Sequence, residues 1–207
     1  MKLMFASDLH GSLPATERVL AIFDHSGAQW LVLLGDLLNH GPRNALPEGY
    51  QPAAVAESLN AYKPAAVAES LNAYKPAAVA ESLNAYKDSI IAVRGNCDSE
   101  VDQMLLQFPI MAGWQQIIMP ETRLFLTHGH LYHPGALPPL RHGDVLAYGH
   151  THLPQAQWQG DIICFNPGSV SIPKGEYPAS YGMLDKGVLQ VLTLQGDEIV
   201  ARLALKN

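Results

Sequence analysis

Trp30-Leu31-Val32-Leu33-Leu34-Gly35-Asp36 is an apolar run that stops on a glycine and a carboxylate. Such a run predicts a strand buried on both faces, with Asp36 at its carboxyl end. Open α/β sheets place their chemistry there. A lone Gly-Asp would more simply cap the following loop or helix. Four other predicted strands end in the same way, however, and it is the shared position that makes the residue informative.

Upstream, Leu3-Met4-Phe5-Ala6 breaks into Asp8-Leu9-His10-Gly11, and Pro14 opens a helix that runs to about Ser26 and stops at Gly27. Strand, helix and strand make a βαβ unit that brings Asp8 and Asp36 to neighbouring strand ends. Downstream, Ile90-Ile91-Ala92-Val93 runs into Gly95-Asn96, and a short helix is expected from Glu100 to Gln107. A hairpin of 116–119 and 124–127 delivers Thr127-His128-Gly129-His130, and Val145-Leu146-Ala147 delivers Gly149-His150-Thr151-His152. After Ile162-Ile163-Cys164-Phe165 the pattern is antiparallel, with strands near 181–184, 188–194 and 199–205 and turns at Asp185-Lys186-Gly187 and Gln195-Gly196-Asp197. The expected class is α/β (α+β), with two sheets face to face and helices outside.

Between the βαβ unit and the third strand, a Gly/Pro/Asn-rich loop from Asn39 to Gly49 could line a pocket rim. It is followed by Pro-Ala-Ala-Val-Ala-Glu-Ser-Leu-Asn-Ala-Tyr-Lys, three times without change, at 52–63, 64–75 and 76–87. Each copy spaces Val, Leu and Tyr at i, i+4 and i+7, the pattern of a short amphipathic helix. Twelve residues at about 100° each turn the apolar face by about 120° per copy, so one straight rod would bury only one copy. Interior prolines would each cost about 3 kcal/mol as well. The expectation is one natively packed copy and two additional ones, a tandem insertion at 52–87 within a single domain spanning 1–207, the extra copies offering apolar residues for an oligomer contact.

Composition narrows the partners. The 207 residues are 48% hydrophobic and 15% charged, enough for one large core. Thirteen bases face 19 acids, and a net charge of −6 excludes a nucleic-acid-coating surface. A small anion is still admissible if metal supplies the positive charge: two divalent ions add four charges and bring −6 to −2. No window reaches the roughly 20 apolar residues of a membrane span. Asp8 and His10 interrupt the first apolar segment before it resembles a signal peptide. Cys97 and Cys164 do not make a disulfide framework, so the expected compartment is the cytoplasm.

Asp8, His10, Asp36, Asn96, His128, His150 and His152 thus occupy five equivalent strand ends. Singly each has a structural explanation; together they predict a metal centre. Carboxylate, imidazole and amide donors suit manganese, iron or zinc. Seven ligands are too many for one ion that keeps an open position, and they divide between two, with Asp36 able to bridge. Two ions about 3.5–4 Å apart are the clamp of phosphoryl transfer, and the water between them would be hydroxide near neutral pH.

Asp8-x-His10, Gly35-Asp36, Gly95-Asn96, Thr127-His128-Gly129 and Gly149-His150-Thr151-His152 resemble, motif for motif and in order, the calcineurin-like metallophosphoesterases. The resemblance implies a four-layer αββα sandwich, two divalent ions with manganese foremost, and a small phosphoester as substrate. It implies that Asp8, His10, Asp36 and His152 hold one ion and Asp36, Asn96, His128 and His150 the other, and it suggests a dimer or tetramer. Many members carry histidine after the asparagine, where this chain has Cys97, a weaker donor; substrates with good leaving groups are therefore expected. Packing is the alternative role for Cys97. Asp98 is expected to orient a ligand, and Arg43 or His40 to meet the phosphate. Phosphodiester hydrolysis is the leading expectation, with a phosphomonoesterase and a non-catalytic interaction scaffold as rivals.

Overall fold

The computed structural model describes residues 1–41, 75–196 and 198–205. Two mixed sheets make an α/β sandwich. The first has β1 (Leu3–Ala6), β2 (Trp30–Leu33), β3 (Ile90–Ala92), β9 (Ser180–Asp185), β10 (Val188–Thr193) and β11 (Ile199–Ala204), in the order β11-β10-β9-β1-β2-β3. The second has β4 (Trp114–Ile118), β5 (Arg123–Thr127), β6 (Val145–Ala147), β7 (Gln155–Gln159) and β8 (Ile162–Asn166), in the order β4-β5-β6-β8-β7. β1, β2 and β3 run parallel, as do β5, β6 and β8. Each parallel trio therefore delivers its carboxyl ends to one edge of its sheet.

Alternation along the strands sorts the side chains between two cores. Leu3, Phe5, Val32 and Leu34 point toward Leu124, Leu126, Val145, Ala147, Ile163 and Phe165 of the second sheet, and Phe5 meets Phe165 edge to face at 5.2 Å. Met4, Ala6, Leu31 and Leu33 point the other way, onto the helices. Helix α1 (Leu13–Ser26) begins with a proline in its first turn and ends where Gly27 takes φ 70°, as the positions of Pro14 and Gly27 predict. It buries Val19, Leu20 and Phe23. The outer face of the second sheet carries Phe125, Leu146, Tyr148, Ile162 and Cys164, covered by Tyr132 and Leu140 from a loop.

The third repeat copy forms helix α2 (Pro76–Asn84), with Val79, Ala80 and Leu83 buried against α1 and the first sheet. Tyr86 follows, its ring 6.0 Å from Phe23 and its hydroxyl donating to Asp24 at 2.7 Å. The Val, Leu and Tyr stripe of the repeat is the face that docks. The first copy and nearly all of the second lie outside the described residues, as does Arg43. Helix α3 (Glu100–Leu105) opens with a capping box between Ser99 and Asp102 and stops two residues before the expected Gln107. Among the described residues no helix is long and apolar enough to cross a membrane.

Candidate metal centre

The carboxyl ends of β1, β2, β3, β5 and β6 meet where the two sheets face each other. Backbone bonds lock the first two together: Asp8 N donates to Gly35 O at 3.1 Å and His10 N to Asp36 O at 2.9 Å. Six non-glycine residues among those described have positive φ, and five are Asp8, His10, Asp36, His150 and His152. Such conformations cost of order 1–3 kcal/mol each and persist where surrounding structure enforces them. The strain falls on the residues singled out by position in the sequence.

All seven predicted donors come together. Asp8, His10 and His152 offer ligand atoms within 4.8 Å of one another, and so do Asp8, Asp36 and His128. Asp36 Oδ2 lies 3.8 Å from His10 Nε2 on one side and 3.4 Å from His128 Nε2 on the other. It is thus near both imidazoles. Asn96 Oδ1 and His150 Nδ1 lie 3.1 and 3.2 Å from His128 Nε2. Asp8, His10, Asp36, His128 and His152 form a buried floor; His150 and Asn96 form a rim that reaches solvent.

Three of the rings share one orientation. His10, His128 and His152 each turn Nδ1 to a backbone carbonyl, of Asn39 (2.9 Å), Leu34 (2.7 Å) and Ile172 respectively. That bond fixes the tautomer and aims Nε2 into the cluster, as imidazole ligands require. Around His128 Nε2, three acceptors compete for one proton. Asp8 Oδ1 is buried without a hydrogen-bond partner, although His152 Nε2 is 3.2 Å away. Surplus lone pairs and an orphaned carboxylate oxygen fit divalent cations better than any internal hydrogen-bond scheme.

The electrostatics follow. Burial works against the charge on Asp36, but the hydrogen bond and charge of His128, then the Cys97 N–H and His10, hold its carboxyl well below the ordinary range. Burial likewise opposes the charge on His128, yet Asp36 and Asp8 push its imidazole up to about 9. Burial and the charge of His128 bring His150 down to about 4.

Asp98 does not face the donor cluster. It is buried, and accepts from Gly95 N (2.7 Å), Asp36 N (2.9 Å) and Leu37 N (2.8 Å). Its bonds tie the backbone at Asp36 and Leu37 to that at Gly95. Cys97 donates its backbone N–H to Asp36 Oδ1 at 2.8 Å, and its thiol stands within 4.8 Å of His10 and Asp36 donor atoms. Burial and the neighbouring carboxylates push that thiol far up, so it stays neutral. It lies beside the centre, where it also accepts from Asn96 Nδ2 at 3.2 Å. The His40 ring is 6.1 Å from that of His10. Gly95 is obligatory, because a Cβ there would stand 2.1 Å from Asp36 Oδ1.

Two sets of residues escape a reading by strand ends. Ser169 and Ser171 hydroxyls donate to Asp8 O at 3.0 and 2.7 Å, and Asn166 Nδ2 donates to Gly149 O at 2.9 Å, so the Asn-Pro-Gly-Ser stretch clamps two ligand loops from behind. His130, two residues after His128, brings a further imidazole to the rim, its ring centroid 5.4 Å from that of His128. Its place in Thr127-His128-Gly129-His130 was the only available signal.

Strand-end carboxylates and imidazoles on a two-sheet sandwich are the arrangement of a metal-using phosphoesterase class. The family model described as "Calcineurin-like phosphoesterase superfamily domain" matches residues 48–187, and the chain belongs to that superfamily, which uses divalent metal ions. It is 62% identical over 205 residues to "Phosphodiesterase YfcE" of Escherichia coli (strain K12), covering 99% of this chain and 98% of that protein. The solved structure of Yfce, described as a phosphoesterase from E. coli, superposes with a TM-score of 0.86 at 60% identity over the whole of both chains. Vacuolar Protein Sorting 29 from Cryptosporidium parvum, at 17% identity and a TM-score of 0.53 over 98% of this chain and 97% of its own, shares the fold alone.

Proposed function

We propose that this chain hydrolyses phosphodiesters of small molecules at a centre of two divalent ions, with manganese first and zinc or iron also compatible with the donors. The observation that carries it is Asp36 Oδ2 lying between His10 Nε2 and His128 Nε2, with lone pairs from both halves aimed inward. Asp8, His10, Asp36 and His152 would hold one ion, and Asp36, Asn96, His128 and His150 the other. When bound, such a pair supplies Lewis-acid charge to a phosphoryl oxygen and acidifies a water to near neutral pH.

The chain's own residues supply orientation. The carbonyls of Asn39, Leu34 and Ile172 fix three imidazoles, and Asp98 and the Cys97 N–H fix the Asp36 carboxylate. The buried floor excludes water beneath the centre, and the rim of Asn96, Cys97 and His150 leaves one open face for the ester. The neutral Cys97 thiol is a poor donor to a departing oxygen, which favours good leaving groups. Identity to a protein named a phosphodiesterase supports diesters over monoesters. The convergent donors support an enzyme over a scaffold.

Manganese-stimulated hydrolysis of bis(p-nitrophenyl) phosphate, compared with the p-nitrophenyl monoester, tests the reading. Faster turnover of the diester is expected. Hydrolysis of the monoester alone would replace the reading with a phosphomonoesterase, and hydrolysis of neither would contradict it.

A further inference from the structure

We propose that Cys97 is a ligand for soft divalent ions such as zinc, completing with His10 and Asp36 a mixed sulfur, nitrogen and oxygen site that manganese does not use. This rests on the two-metal reading and adds metal discrimination to it. One ligand atom each of His10, Asp36 and Cys97 lies within 4.8 Å of the other two. Zinc bonds to such atoms run about 2.0–2.3 Å, so ligands on a tetrahedral zinc stand about 3.3–3.8 Å apart. Closing from 4.8 Å to about 3.8 Å takes about 1 Å, within the swing of a half-buried cysteine about χ1.

The three residues are already held in relation to one another. His10 turns Nδ1 to the Asn39 carbonyl, which brings its Nε2 to 3.8 Å from Asp36 Oδ2. The Cys97 N–H donates to Asp36 Oδ1 at 2.8 Å, so sulfur and carboxylate move together. Asn96 Nδ2 donates to Cys97 Sγ at 3.2 Å, the kind of bond that supports a metal ligand from outside. Softness then separates the ions. Thiolate selects zinc over manganese, which prefers carboxylate, carbonyl and water. As the metal–sulfur bond forms, the thiol proton leaves to solvent. The sulfur fills a position that an open catalytic site keeps for water or a phosphoryl oxygen, and its negative charge weakens the ion as a Lewis acid. Zinc therefore binds tightly here and supports slower diester hydrolysis than manganese.

Cobalt(II), a spectroscopic stand-in for zinc, is titrated into the metal-free parent, Cys97→Ser and Cys97→Ala. The parent is expected to show a sulfur-to-cobalt charge-transfer band in the near ultraviolet, and both variants to lack it. Cys164 cannot supply the band, since it is buried beneath Tyr132 and Leu140 on the outer face of the second sheet. Competition titrations are expected to find zinc affinity at least about tenfold lower in both variants, the loss that follows removal of a group serving a metal site, with manganese affinity unchanged. A cobalt-loaded parent without the band would overturn the proposal whatever the variants do. So would a band that survives in both variants, or equal losses of zinc and manganese affinity. A parent that binds no divalent ion at all would instead overturn the two-metal reading beneath it.

Discussion

Asp98 holds Asp36 by its backbone: one carboxylate oxygen accepts the Asp36 N–H at 2.9 Å and the Gly95 N–H at 2.7 Å, and the other accepts the Leu37 N–H at 2.8 Å. The loops after β2 and β3 are thereby pinned to one buried anion, and Asp36 is held at φ 56°. Asp98→Asn places an amide N–H against one of these donors. It is expected to cost about 1–3 kcal/mol for the buried group left unpaired. Because the bond orients a ligand, metal affinity should also fall about 10–100-fold. Thermal melts and manganese titrations check both; full affinity in the variant would show that Asp36 does not depend on this support.

His128 carries the pH dependence. Its folded value of about 9 exceeds the ordinary imidazole value, so in chelator-treated protein its charged pair with Asp36 stabilises the fold fully below about pH 6.5. That contribution is lost as pH rises through about 9. A cation must displace the same proton, so manganese affinity is expected to climb across this window, with about one proton released per chain at pH 7.5. Calorimetry in buffers of different ionisation enthalpy measures the release directly, and none at all would contradict the assignment.

The repeated segment yields a deletion experiment. Removing residues 52–75 leaves one copy, the one whose Val79, Ala80 and Leu83 are buried. Stability and diester turnover are expected to match the parent. In that shortened chain Leu83→Ala should cost about 2–5 kcal/mol, the penalty of a core cavity. A large loss on deleting 52–75 alone would give the first two copies a structural role.

Cys97→His puts an imidazole where the thiol faces His10 and Asp36. Assistance to the departing oxygen matters most when the leaving group is poor, so alkyl phosphoesters should gain more than aryl ones, by about 10²-fold at the upper end. Equal changes in kcat/KM for both classes would count against Cys97 as the determinant.

How far the sequence could be read depended on what each feature required. Asp36 and the other four strand ends stood out because buried parallel strands are apolar throughout and stop abruptly on polar residues. The Lys186-Gly187 turn was readable because both residues take positive φ, 47° and 75°, in a two-residue hairpin. Strand β7 was missed: Gln-Ala-Gln-Trp-Gln has no apolar run, and it is held at a sheet edge by pairing with β8. The positive φ of Asp8, His10, His150 and His152 is imposed by tertiary bonds such as Ser171 Oγ to Asp8 O, which no local pattern announces. His130 was visible as a residue, but its unpaired Nδ1 exists only in three dimensions.

The most direct test of the central claim, that Asp36 links two ions, is metal content per chain measured with activity in the parent and in Asp36→Asn. The parent is expected to bind two manganese ions, with diester hydrolysis appearing as the second site fills. The variant should bind fewer and lose at least about 10³-fold in kcat, since a bridging anion that positions both sites is removed. A variant that retained two ions and the parent's turnover would contradict the account.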